Sequence, residues 1–152
     1  MRLNTRCALL LGAAALMGSG CREHDRAQLA WAHGALEARF GLPAGAQFAI
    51  IDRVGVERWD CTSDCILWEV ARAGDSPVKL PLESRSLQLT YGAPIEGTQV
   101  VKAAETLTAG HYRWVTQLGL LMEGDDSVAR LYAERFELKA RPDGGYEVSV
   151  NP

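Results

Sequence analysis

The sequence predicts a mostly β protein: a small antiparallel β-sandwich or barrel-like meander preceded by one N-terminal helix. Three observations carry this expectation. After Gly45, short runs rich in branched and aromatic residues recur between turn signals. Near the C-terminus, Phe136–Ala140 and Tyr146–Val150 alternate cleanly on either side of Arg141-Pro142-Asp143-Gly144-Gly145, a strong turn signal. Ahead of Gly41, by contrast, apolar residues fall at helical spacing. The apolar fraction of 47% is ordinary for a globular protein, and the chain carries no low-complexity tract or long-period repeat.

The first element is a leader over residues 1–20. Arg2 and Arg6 give a positive start, Cys7–Met17 is apolar, and small residues follow. That succession is the pattern of a secretory signal. The apolar run is about 11 residues, short of the roughly 20 that a membrane-spanning helix needs. Gly18-Ser19-Gly20-Cys21 resembles the lipobox of bacterial lipoproteins, in which an aliphatic residue and two small residues precede a cysteine. Gly18 stands at the aliphatic position, with Leu16 and Met17 just upstream. The resemblance implies cleavage before Cys21, acyl chains on that cysteine, and a firm membrane anchor, because each buried CH₂ contributes about 0.8 kcal/mol. Arg22, where an aspartate would favour retention in the inner membrane, implies the outer membrane, facing the periplasm. Ordinary cleavage to a soluble secreted protein is the alternative.

Residues 21–24 then form a short lipidated tether, and 25–152 a single domain with one core, the mature chain being about 132 residues. Loss of Arg2 and Arg6 makes the formal charge of −3 two units more negative. With no clustered Lys/Arg stripe, a nucleic-acid partner is not expected. Of the four cysteines, Cys7 leaves with the leader and the resemblance blocks Cys21. Cys61 and Cys65 remain, an even pair in an oxidising compartment, where a disulfide is expected.

Within the domain, Asp25 and Gln28 make a capping-box-like pattern, and Leu29, Ala32, Leu36 and Phe40 share a helical face. The spacing predicts a helix over about 25–40, followed by a β domain over about 46–150. Gly34 is unfavourable inside such a helix by about 1 kcal/mol. Phe48–Trp59 and Cys65–Arg72 read as strands of a hairpin around Thr62-Ser63-Asp64. With Cys61 opposite Cys65, Val56 falls across from Val70 and Arg58 across from Trp68. Val54, Val56, Ile66, Trp68 and Val70 then line the core face, and Trp59 and Leu67 the other. Gly55 is a candidate bulge. Pro81 confines Val78–Leu82 to an edge or strand end. Leu87–Tyr91, about 98–104 and His111–Met122 are further strands, with Tyr112, Trp114, Leu118 and Leu120 on one side. Gly124-Asp125-Asp126 reads as a turn. Residues 127–139 fit either a helix or a strand, and the strand is preferred. Six or seven short strands result.

Chemistry-bearing motifs are sparse. Cys61 and Cys65 have three intervening residues inside β sequence, whereas redox pairs favour two at a helix start. No second Cys/His pair is nearby for zinc. Asp60, Thr62 and Asp64 alternate like a calcium loop, but the sixth-position glycine is Cys65 and Ala71 stands where the bidentate glutamate belongs. No metal site and no cofactor are expected. His24, His33 and His111 are best read as solvated or partly packed. No serine sits in a nucleophile elbow and no glycine-rich phosphate loop occurs. Of Trp31, Trp59, Trp68 and Trp114, the second is the odd one, beside the hairpin tip with Arg58, Asp60 and Asp64 around it. Trp and Arg are enriched at binding hot spots, so Trp59, Arg58 and Asp64 are the candidate contact residues. The expected function is therefore a non-enzymatic envelope lipoprotein, a binding or accessory module whose β-domain loops meet an envelope protein, peptidoglycan or a small ligand. The alternatives are a small periplasmic hydrolase and an inhibitor of an exogenous hydrolase.

Overall fold

A computed structural model describes residues 26–82 and 86–150. The leader 1–20, Cys21 with its tether, His24 and Asp25 lie outside the described residues. Among those described, ten strands form two antiparallel sheets. The smaller sheet has the order β1 (Ala27–Ala32), β2 (Ala35–Gly41) and β6 (Ser86–Thr90). The larger runs β10 (Tyr146–Val150), β9 (Ser127–Ala140), β8 (Gly110–Met122), β3 (Ala46–Arg58), β4 (Ile66–Arg72) and β7 (Thr98–Lys102). A two-residue strand, β5 (Leu80–Pro81), also pairs with β3. The arrangement is sandwich-like, and the mostly β expectation holds.

The expected helix over 25–40 is a β-hairpin instead. Ala32 pairs with Ala35, and the turn residues His33 and Gly34 have φ of 53° and 78°. Two successive left-handed residues make the tight turn that matches strand twist, and glycine is favoured there. Leu36, Ala38 and Phe40 alternate and are all fully buried, so the period is two. The helical spacing from Leu29 to Phe40 is a coincidence of two strands read through a turn.

The β3–β4 hairpin keeps its core face but not its expected register. Val54 pairs with Val70 and Val56 with Trp68, and a bulge follows Val56. The ladder closes before the cysteines are reached, because Trp59 and Asp60 already belong to the turn. A slip of two residues leaves side-chain parity intact, so Val54, Val56, Trp68 and Val70 are buried as expected. The bulge exchanges the next two positions: Leu67, only 2% exposed, is core, and Ile66 is half-buried. It lies one residue beyond Gly55, whose added Cβ would sit 3.2 Å from the Trp68 carbonyl.

Residues 127–140 are strand. β8 and β9 pair without interruption from Gly110↔Leu138 to Leu121↔Ser127. Gly124 and Asp125 take the positive φ of the turn, which Met122 N–H closes onto the Asp126 carbonyl at 2.7 Å. The 141–145 turn joins β9 to β10 as expected.

The core lies between the sheets. Phe40 of β2 meets Tyr132 of β9 edge-on at 4.8 Å, Trp31 of β1 meets Tyr146 of β10 at 4.7 Å, and Tyr91 after β6 meets Trp68 at 5.3 Å. The chain enters the domain beside β9, where the Ala27 N–H donates to the Glu134 carboxylate and Arg26 lies near it.

Candidate functional site

Three strand ends build one feature of the surface. β3 finishes at Arg58, β4 begins at Ile66, and the Trp59–Cys65 connection between them forms the tip. A disulfide joins Cys61 to Cys65, whose Cα atoms are 5.4 Å apart. The Arg58 N–H donates to the Cys65 carbonyl at 2.8 Å, closing the loop at its neck. β8 starts alongside, with Arg58 paired to Tyr112 and the Trp59 N–H donating to the His111 carbonyl at 3.1 Å. Between the tip and the start of β8 lies an open cleft of about 610 Å³. Arg58, Asp60, Thr62 and Ser63 line one side, and Thr108, Gly110 and His111 the other.

Both walls are pinned. The disulfide fixes the first. On the second, Tyr112 Oη donates to the Thr108 carbonyl at 2.7 Å, and Tyr146 Oη to the Leu107 carbonyl at 3.1 Å. Lys102 links the two. Its Nζ lies 3.0 Å from both Asp64 of the tip and Glu105 of the β7–β8 connection. Hydrogen bonds to Glu105, then Asp64, hold the Lys102 ammonium above its usual range. Glu105 is anchored in turn, its N–H donating to the Leu67 carbonyl at 3.0 Å and its carbonyl accepting from Tyr91 Oη at 2.7 Å. Burial pushes the Tyr91 phenol up to about 12, so it stays a donor at any physiological pH.

The three candidate contact residues do not converge. Arg58 lines the cleft. Trp59, 37% exposed, lies instead under the Arg135 guanidinium, 3.3 Å above its ring centre, with Arg113 at 5.3 Å. Arg113 is in turn paired with Glu57. Asp64 points to Lys102 and belongs to the clamp. His33 occupies the β1–β2 turn, 3.3 Å from Glu37, whereas His111 reaches the cleft. The wall from Thr108 to Tyr112 escaped the sequence reading because the β3–β8 pairing joins segments far apart in the chain. The legible signal was the Thr108-Ala109-Gly110 turn just before an aromatic strand.

The cleft offers one guanidinium, one imidazole, one carboxylate and several hydroxyls. Among the described residues, no hydrogen bond joins His111 to Asp60, Thr62 or Ser63, and no three His, Cys, Asp or Glu side chains cluster as metal ligands would. Comparison of the chain with protein-family models, with curated proteins and with solved structures finds no match in any of the three. The fold class and the cleft are therefore what define the protein: a sandwich-like β domain with a stapled, preformed cleft at one end.

Proposed function

We propose that the chain is an exported bacterial lipoprotein, held on the outer membrane by acyl chains on Cys21, and that it acts as a non-enzymatic binding or accessory module. Its contact surface is the stapled end of the β domain, and its partner is an envelope protein or peptidoglycan. The observation that carries this reading is the cleft: an open recess whose two walls are each fixed by hydrogen bonds or a disulfide before anything binds. Rigid scaffolds presenting such loops are common recognition sites, and a preformed surface avoids the ordering cost of binding. The lipobox-like Gly18-Ser19-Gly20-Cys21 supports the location.

Two measurements test it. Intact mass of the mature protein should show an acylated N-terminus and no free thiol; an unmodified Cys21 would remove the anchor from the reading. A photo-crosslinking side chain at Thr62 should capture an envelope protein or glycan strand in living cells, while the same group at Ser127, on the hairpin at the far end of β8, should not. Equal capture at both would overturn the assignment of the contact end.

The hydrolase reading retains one specific observation, His111 and Asp60 in one cleft. It requires His111→Ala to abolish a hydrolytic activity. The binding-module reading requires that variant to keep the Thr62 crosslink.

A further inference from the structure

We infer that the cleft beside the Cys61–Cys65 tip receives a monocarboxylate that carries its own N–H or O–H donors. This rests on the stapled end being the contact surface, and it names the ligand chemistry of that surface.

The first observation is the isolation of Arg58. Arg53 is paired with Glu69, Arg72 with Asp52, Arg113 with Glu57 and Arg141 with Asp143. Arg39 donates to Gln88, and Arg135 covers Trp59. Arg58 alone lines the cleft, exposed, with no carboxylate partner among the described residues. A guanidinium presents a planar fork of donors that fits a carboxylate by two parallel bonds.

The second observation selects the charge. Asp60 lines the same cleft and is not paired with Arg58. A phosphate dianion would place two negative charges against one fixed cation beside a carboxylate. A single carboxylate is matched by Arg58 and leaves Asp60 as an acceptor for the ligand's own donors. Thr62, Ser63 and Thr108, which also line the cleft, carry hydroxyls for further polar contacts. A volume of about 610 Å³ falls in the usual range of small-molecule sites.

The same chemistry has two sources, the C-terminal carboxylate of a short peptide and the acid group of a sugar. Amide shifts of Thr62, Ser63, Gly110 and His111 in the ¹⁵N-labelled full-length protein in detergent micelles distinguish them. The probes are N-acetyl-alanyl-alanine and glucuronate, compared with N-acetyl-alanyl-alaninamide, glucose and inorganic phosphate, each at millimolar concentration. At least one carboxylate should shift the cleft amides saturably while its neutral counterpart does not, and the arm that saturates identifies the source. Arg58→Gln should weaken that binding about tenfold and Arg58→Lys less, charge-assisted bonds to an Arg fork being worth roughly twice a neutral one. Amide-shift dispersion checks that both variants fold. The inference is overturned if neither carboxylate moves the cleft amides, if a neutral counterpart binds equally, if phosphate binds tighter than both, or if Arg58→Gln binds unchanged. Any of these results alongside an intact Thr62 crosslink would discard the ligand chemistry and leave the contact end standing.

Discussion

Among the described residues, Thr116 is the one buried polar side chain that is not aromatic, and its environment explains it. It lies two positions from Trp114 on the same face of β8, and both are fully buried. Trp114 Nε1–H donates to the Thr116 hydroxyl at 2.8 Å. Removing the acceptor strands a buried donor, which costs about 1–3 kcal/mol. Thr116→Val should lower stability by that amount in urea unfolding, and Thr116→Ser by clearly less. Glu134 gives a pH signature. Burial holds its carboxyl above the usual glutamate range, and Arg26 and the Ala27 N–H offset this only in part. A carboxyl protonated more readily in the folded chain than in the unfolded one costs stability as pH rises through its titration, from about 4 upward. Glu134→Gln should therefore gain stability relative to the parent between acid and neutral pH. A constant difference between the two proteins across that range would refute the assignment.

The hairpins show what a sequence conveys about an element. The β9–β10 and β8–β9 turns were legible because Gly, Asp and Pro fill positions with special backbone geometry. The β1–β2 turn was not: His33 stands where Asn, Asp or Gly usually precedes the Gly of such a turn, and the strands around it happen to place Leu29, Ala32, Leu36 and Phe40 at helical intervals. The decisive feature was Gly34, expected as a weak spot in a helix and found as the hinge of a turn at φ 78°. An added Cβ there meets no atom within 4 Å, so Gly34→Ala isolates backbone strain and should cost about 1 kcal/mol. At the stapled β3–β4 turn, the disulfide closes a loop of about five residues, for which chain entropy gives only about 2 kcal/mol. The double variant Cys61→Ser, Cys65→Ser should stay folded, with its denaturant midpoint lowered accordingly. Loss of cooperative unfolding would assign the bridge a larger role.

At the scale of the molecule, composition and alternation revealed the fold class, the core strands and the burial of Trp68 and Trp114. They did not reveal strand order. β3 at the centre of the larger sheet is flanked by β4, its neighbour in sequence, and by β8, which follows about fifty residues later. Nothing local to either strand encodes such a partnership, and the second wall of the cleft came with it. The same holds for the contact between sheets, which depends on Phe40 meeting Tyr132. Phe40→Ala should cost about 3–5 kcal/mol and lower the fluorescence and circular-dichroism transitions together, because one core serves both sheets.

The docking of Arg26 and Ala27 onto Glu134 also sets a geometry of reach. In the lipoprotein proposed above, the backbone from an acylated Cys21 to Arg26 would span five residue steps, at most about 17 Å when fully extended. The leash is thus shorter than the domain it restrains is wide, a compact domain of this size having a radius of gyration near 14 Å. Rotation about the leash would turn the cleft through different headings, but it could not carry it far into the periplasm. On that proposal, a carboxylate recognised there would have to come to the membrane, and the local supply of such groups close to the bilayer, rather than their bulk concentration, would govern how often the cleft is filled.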